Sequence, residues 1–482
     1  DLHSFPTRRS SDLHIALRLE IDSLAADVSD PSVRVRDAQG TVEHQNDSLR
    51  FELARFALPG TVARARGTVS WPADTILYDF AADVSPLDLA DLRFISPQFP
   101  DLTGSTRVVA KWETAYRTRF ELTRLQLARD DERIEGELVA VTDQRRGLGV
   151  RGLDLRLTRL DLNDVRQYLD TLPFDGWITG PVKAEGYLDN LKASGDWVFQ
   201  DRALPGTPQN RFAFDGGVRT GGDEGLTFDS MRVERADLAL ETIRRLAPAV
   251  PLYGRLRADG KVDGPLRNAT FVGTLVHQDS ARPASRINGA LRLDTRDTVL
   301  GVAADVALDP LEFEGIRRSF PSLKSQGSLR GRVRLDGTLA AMKVQGTVAG
   351  DIGTITANGG ATILPPRWGA DSLHLEFLSL NLAALTGRGP VTTLDGSLLA
   401  DGVIDSAVAP EGSLSLHVQQ GTVRTVEFSD VRAELAVRDG VIQLDSLSGF
   451  AGGIRLSGKG TLGWARPIWR SEERRVGKEC RS

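Results

Sequence analysis

Apolar and polar residues alternate one for one along much of this chain. From Gly254 the sequence reads G-R-L-R-A-D-G-K-V-D-G, which puts Leu256, Ala258, Gly260, Val262 and Gly264 on one side. Arg255, Arg257, Asp259, Lys261 and Asp263 fall on the other. From Ser328 the same rhythm sets Leu329, Gly331, Val333 and Leu335 against Arg330, Arg332, Arg334 and Asp336. It also carries Leu153, Leu155 and Leu157, then Leu373, Leu375 and Phe377, then Leu414, Leu416 and Val418. A period of two predicts half-buried strands in an antiparallel sheet. Asp-Gly pairs at 259–260, 336–337, 401–402 and 439–440 predict tight hairpins, because both residues tolerate positive φ. Some of these pairs instead mark a bulge inside a longer strand, since Gly260 continues the alternation.

Helical signals are short. Asn163–Leu169 offers an Asn N-cap and a Val165, Tyr168, Leu169 stripe, and Glu241–Leu246 is a second candidate before Pro248. Each is two turns or fewer, too short to cover a sheet, and reads as punctuation. At one strand per 8–12 residues the chain holds roughly 40 strands, which at about 4.8 Å spacing extend on the order of 200 Å.

The pattern repeats. An apolar-Asp/Asn-apolar (or Pro) triplet recurs at Leu87-Asp88-Leu89, Leu160-Asp161-Leu162, Ala236-Asp237-Leu238, Leu308-Asp309-Pro310 and Leu380-Asn381-Leu382, its centres 73, 76, 72 and 72 apart. A proline follows 9 to 14 residues later, at Pro100, Pro173, Pro251, Pro321 and Pro390. A glycine then opens the next alternating run, at Gly104, Gly176, Gly254, Gly327 and Gly396. Three markers at one spacing imply stacked copies of one supersecondary unit. The approximate copies are 14–86, 87–159, 160–235, 236–307, 308–379 and 380–469. The expected class is all-β with minor short helices: an elongated, repetitive antiparallel sheet. Its apolar side needs a second sheet, closure into a solenoid, or a curl around an open groove.

Residues 1–13 (DLHSFPTRRSSDL) and 470–482 (RSEERRVGKECRS) break the period. Both resemble translated sequencing-adapter read-through and are set aside from the fold. On that reading the native segment is 14–469, and the missing ends carry any signal or anchor. The 482-residue chain has 60 Lys and Arg against 65 Asp and Glu, a net charge of −5. The two ends hold 7 basic and 5 acidic residues, so the remainder carries 53 against 60, a net of −7. That balance argues against a nucleic-acid partner, which needs a basic face. The single cysteine, Cys480, lies in the tail, so the native segment offers no disulfide, thiolate metal site or Cys nucleophile. No run of 18 apolar residues is present.

Nothing in the sequence points to an enzyme, a cofactor or a metal. The histidines are not spaced as ligands, and His374 and His417 fall on the polar side of their strands. No Walker loop, nucleophile elbow or HExxH motif occurs. Gly346–Gly350 and Gly449–Gly453 read as turn glycines. The Asp residues recur with the repeat, which suits turns and outer faces better than a paired-carboxylate site. Trp112, Trp177, Trp197 and Trp368 are scattered and read as ordinary core aromatics.

The runs Gly327–Leu339, Gly254–Leu266 and Gly176–Leu188, and the segment Asp430–Gly453, resemble the TamB/AsmA-like proteins of the bacterial envelope. Val42–Gly60 looks like a partial copy, and the resemblance covers essentially all of 14–469. It implies a curled antiparallel sheet with a U-shaped hydrophobic groove, in the periplasm, tethered to the inner membrane by an N-terminal helix that this chain lacks. It implies the movement of phospholipid between the inner and outer membranes, with acyl chains as the partner. Leu153, Leu155, Leu157, Leu256, Ala258, Val262, Leu329, Val333, Leu335, Leu373, Leu375, Phe377, Leu414, Leu416 and Val418 are then the expected groove lining. Two other readings compete. One is an outer-membrane protein assembly factor that works with a barrel partner by strand addition. The other is a structural solenoid adhesin.

Overall fold

A computed structural model describes residues 16–463, apart from 30–31, 73–74, 96, 115, 167–172, 221–222, 249, 365, 406–409 and 439–440. The fold is all-β, and 26 strands form one long antiparallel sheet whose closure is not seen. Ala26–Ser29 and Ser32–Val35 pair separately as a two-stranded ribbon. The described residues hold 28 strands rather than the roughly 40 expected. The strands are longer than the alternation suggested, as in Gly147–Asp161 (15 residues) and Arg367–Leu380 (14 residues).

The chain divides into two compact units: 1–250 with 254–275, and 251–253 with 276–482. Within each, successive strands pair in chain order as a meander, for example Thr103–Thr114 with Arg117–Arg129, and Ser328–Thr338 with Ala341–Gly350. Two-residue connections are common, as at 130–131, 188–189, 339–340 and 424–425. Asp130 (φ 50°) and Arg424 (φ 57°) supply the positive φ that such turns need.

The Asp-Gly pairs are not these turns. Asp259-Gly260, Asp336-Gly337 and Asp401-Gly402 lie inside the strands Arg255–Pro265, Ser328–Thr338 and Thr392–Ile404. The pair at 439–440 lies outside the described residues. Gly402 shows why glycine is needed there. Its φ is 142°, and a Cβ would sit 2.4 Å from Glu411 O on the neighbouring strand. Gly346 likewise lies within a strand, Ala341–Gly350, whereas Gly452 and Gly453 do form a turn, between Val441–Ala451 and Ile454–Gly463.

The triplet marks where the chain leaves the sheet. The strand carrying it is bulged just before it in four copies, between Val84 and Leu87, Leu157 and Leu160, Val233 and Ala236, and Phe377 and Leu380, and across it in the copy at Leu308, between Leu308 and Leu311. Each bulge sets three residue steps against two on the next strand, so the inward face is kept while the chain bends. A short helix follows. The first is the 3-10 turn Leu89–Leu92; then come α1 (Leu162–Arg166), α2 (Leu240–Leu246), α3 (Phe313–Ile316) and α4 (Leu382–Thr386).

The Asp or Asn of the triplet is the cap in three copies. Asp88 accepts from Ala90 N, Asp161 from Asn163 N at 2.9 Å, and Asn381 from Ala383 N and Ala384 N. The expected cap at Asn163 is therefore displaced by two residues. Tyr168 and Leu169 of the expected stripe lie outside the described residues.

The helices do more than punctuate. Each begins with a large apolar residue, and four of these pack into clusters on the sheet's apolar side: Leu89, Leu162 and Phe313 reach clusters around Leu127, Leu157 and Leu329, and Leu382 one around Phe377, while Leu240 is buried. Among the described residues no helix is long and apolar enough to cross a membrane.

Two substitutions test this account. Asn381→Ala removes the α4 cap and should cost about 1 kcal/mol of unit stability by urea unfolding. Gly402→Ala should cost more, about 2 kcal/mol or above, because positive φ and the clash with Glu411 O act together.

Candidate functional site

The strand register aligns the inward residues into rows that cross many strands without a polar interruption. In the first unit one row runs Leu19, Val42, Phe51, Gly67, Phe80, Ala110, Phe120, Ala140, Val150, Gly186, Leu191, Val218, Phe228 and Gly264. A second runs Gly40, Leu53, Ala65, Ala82, Val108, Leu122, Leu138, Leu153, Ala184 and Ala193. In the second unit a row runs Gly289, Val306, Val333, Gly346, Ala357, Leu375, Leu398, Leu416, Ala433 and Leu447. Its neighbour toward the helices runs Leu308, Gly331, Val348, Ile355, Phe377, Gly396, Val418 and Val431.

The fifteen residues singled out from the alternation all fall on this apolar side, and none is exposed. Val333, Leu375 and Leu416 share one row; Phe377 and Val418 share another; Leu373 and Leu414 share a third, through Ala400. Leu335 stands between Ala304 and Val344, and Leu329 between Leu311 and Gly350. In the first unit Leu155 lies between Gly136 and Val182, and Leu157 between Ile134 and Gly180. Leu256, Ala258 and Val262 face Leu238, Ala236 and Met231.

Burial is graded along many strands. Residues nearest the helices are buried, as with Leu157, Leu329, Phe377 and Val418. Those farther along, such as Leu153, Val333, Leu373 and Leu414, are half-buried. Ala110 and Met342 depart from the gradient, buried although they lie far from the helices. The helix end of the apolar side is thus filled by the protein's own side chains, and much of the far end is only partly covered.

The opposite side is polar. Its rows include Arg332, Thr347, Thr356, Glu376, Ser397, His417 and Arg432. Asp305 holds Arg332 at 2.7 Å and Arg334 at 2.9 Å, and His417 Nε2 meets Asp430 Oδ1 at 2.9 Å. His374 is exposed on this side. The Trp177 ring also belongs to a charged neighbourhood, with the Arg159 and Arg202 guanidiniums 4.9 and 5.1 Å from its centroid. Trp197 instead packs edge-on against Phe214, 4.7 Å between centroids, beside the apolar cluster. Among the described residues no group of three or more His, Cys, Asp or Glu is placed to hold a metal ion.

Two recurring devices at the helices lie outside the alternation of apolar and polar residues. The residue before each helix gives its N–H to an acceptor on another segment. Asp88 donates to Thr61 Oγ1 (2.9 Å), Asp161 to Glu132 Oε1 (3.1 Å), Ala239 to Asn210 Oδ1 (2.8 Å) and Glu312 to Ser285 Oγ (2.9 Å). In the last copy Asn381 N donates to Ile352 O (3.1 Å). The four side-chain acceptors are all buried. The second device, in the first four copies, is an arginine at the helix end that donates to a loop carbonyl. Arg93 reaches Phe99 O (2.9 Å), Arg166 Phe174 O, Arg245 Pro173 O (3.2 Å) and Arg317 Ser325 O (3.1 Å).

Around α1 these devices merge into a charge network. Arg129 bridges Glu132 (2.5 Å) and Asp164 (2.6 Å), while Arg202 bridges Asp161 (2.8 Å) and Asp175 (2.7 Å). Burial lifts the Glu132 carboxyl above its usual range, against the Asp161 N–H and Arg129. Burial also acts on Asp161, but the Arg202 hydrogen bond and the Asn163 N–H outweigh it and hold that carboxyl below its usual value.

Comparison with protein-family descriptions, curated proteins and solved structures finds no match.

The two carboxyls set opposite pH dependences. Asp161, depressed in the fold, stabilises above the ordinary carboxylate value near ~4, and that contribution fades as pH falls below it. Asp161→Asn should therefore cost about 2 kcal/mol at pH 7 and progressively less below about pH 4. Glu132, raised in the fold, is a growing burden as pH rises from about 4 toward its native value. Glu132→Gln should gain on the parent protein over that interval. Urea midpoints measured from pH 3 to 7 check both signs.

Proposed function

We propose that this chain is a section of a periplasm-spanning hydrophobic conduit of the TamB/AsmA-like type, carrying phospholipid between the inner and outer membranes. The observation that supports it is the row structure within each unit: apolar and glycine positions succeed one another strand after strand, and many of them, such as Leu153, Val333 and Leu414, are only partly covered away from the helices. An acyl chain of about 16 carbons loses roughly 12 kcal/mol if dragged through water, at about 0.8 kcal/mol per CH₂. A partly covered apolar face removes that barrier. Evenness matters more than tight binding, because a deep pocket on the path holds the lipid back. Rows of Leu, Val, Ala and Gly provide such evenness, and the charged opposite face keeps the sheet in solution.

The test places charge in a row. Val333→Asp with Leu416→Asp interrupts the row shared by Leu375 and Leu398. Gln345→Glu, exposed on the polar side opposite Arg334, is the control. Transfer of fluorescent phospholipid between donor and acceptor vesicles should fall at least about tenfold in the double variant, the equivalent of about 1.4 kcal/mol on the barrier. It should hold in the control. Undiminished transfer in a double variant that still folds by circular dichroism removes the reading.

A further inference from the structure

In the second unit, segment 323–326 is strapped to α4. Gln326 N donates to Ala384 O, and Ser325 Oγ donates to Leu385 O, both at 2.8 Å. Gly387, which ends α4 with φ 69°, sits so close to this segment that a Cβ would lie 2.5 Å from Lys324 O. Beside this junction opens a depression of about 550 Å³ lined by Arg317, Lys324, Gln326, Thr386, Gly387 and Arg388. Three of the six are cations and none is acidic, on a chain whose formal charge is −5.

These cations are incompletely used by the protein itself. Arg317 gives one nitrogen to Ser325 O at 3.1 Å, while its Nε is buried and meets no acceptor. Lys324 Nζ donates to Pro321 O at 2.8 Å, and an ammonium carries three N–H donors. Arg388 is exposed at the rim. Two arginines and a lysine lining one open space provide a donor set suited to a tetrahedral oxyanion. Gln326 and Thr386 add neutral polar groups.

We propose that this depression binds a phosphate group. The same segments pack Leu323, Ala384 and Leu385 into the apolar cluster around Phe313 and Leu329. A phosphate held here therefore lies next to the apolar side. That placement suits the headgroup of a lipid, and equally a free phosphate ester. The binding claim itself does not rest on the conduit reading.

The experiment follows ³¹P resonances of two probes added to the full chain: glycerol phosphate, and dihexanoyl phosphatidic acid below its micellar concentration. Both should bind. Lys324→Glu with Arg388→Glu should weaken both at least about tenfold, and Lys324→Arg with Arg388→Lys should retain binding. If the charge-reversed pair does not fold, Arg388→Gln alone should weaken binding about threefold. An acyl-bearing probe held at least about tenfold more tightly than glycerol phosphate assigns the site to a lipid headgroup; equal affinities assign it to free phosphate esters. Either result upholds the phosphate site. Absence of binding by both probes, or binding unchanged in the folded charge-reversed variant, overturns it. Loss of vesicle transfer with intact phosphate binding bears on the conduit alone.

Discussion

Register parity is the constraint on which this protein depends. Most strands of the sheet have one apolar and one polar or charged face, so a slip of one residue between two strands turns a whole strand inside out. The penalty is large because a misplaced strand exposes several aliphatic side chains and buries as many charges. The rows through Val333 and Leu416, or through Phe51 and Phe120, exist only because each strand pair respects that parity. Bulges are the one permitted departure, and those before the helices add a single residue. A single extra residue reverses parity locally and is absorbed by a residue at positive φ, as at Arg159, Arg235 and Ser379. The inward face resumes immediately, at Leu160, Ala236 and Leu380.

A sheet edge of this length also has to be left and rejoined once per copy. The bulge tilts the strand away, which strips its last N–H of a ladder partner. A buried orphan N–H costs about as much as a lost hydrogen bond, so each exit carries a dedicated acceptor. Thr61, Glu132, Asn210 and Ser285 fill that role in turn. The short helix then seats on the sheet, and in four copies an arginine near its C-terminal end ties it to a loop: the following one for Arg93, Arg166 and Arg317, and the loop after the preceding helix for Arg245. Cation and helix C-terminus are matched in sign, and the carbonyl acceptor fixes direction as well as charge. Too short to be stable alone, these helices persist because they are held at both ends.

Much of the strand architecture was legible because period two is written directly in the sequence. It fails where two apolar residues stand side by side. Leu398 lies in the central row while Leu399 is 48% exposed on the polar side, and Phe377 is buried while Leu378 is 60% exposed. In both pairs hydrophobicity alone gives no face, and only the register decides. The hairpin reading of the Asp-Gly pairs misled for a related reason, while the alternative, that Gly260 continues a longer strand, matches the fold. Local chemistry reports that a positive φ is tolerated, whereas the neighbouring strand decides whether the pair makes a turn or, as at Gly337 and Gly402, a pleat pressed against a carbonyl. The exit acceptors were unreadable for a third reason. They recur once per copy but as Thr, Glu, Asn and Ser, because the requirement is an oxygen at one point in space rather than a residue type. The helix arginines were readable in principle, since Arg93, Arg166, Arg245 and Arg317 keep nearly the repeat spacing.

Glycine links this architecture to the proposed role. Along the row through Phe377 glycines interrupt the bulky residues: Gly331, Val348, Ile355, Phe377, Gly396, Val418. A Cβ at Gly396 would fall 3.0 Å from the Phe377 ring, so the ring lies over the glycine backbone rather than standing beside a side chain. Large groups laid across small ones level the surface, filling hollows that would otherwise become local binding sites. A surface meant to hold one guest tightly is built the other way, with a hollow and converging groups. An even face suits a ligand that must move along the rows, and a bounded cationic depression suits one that must stop. The second unit has both, and their contrast in form is the physical ground on which the two proposals are kept apart.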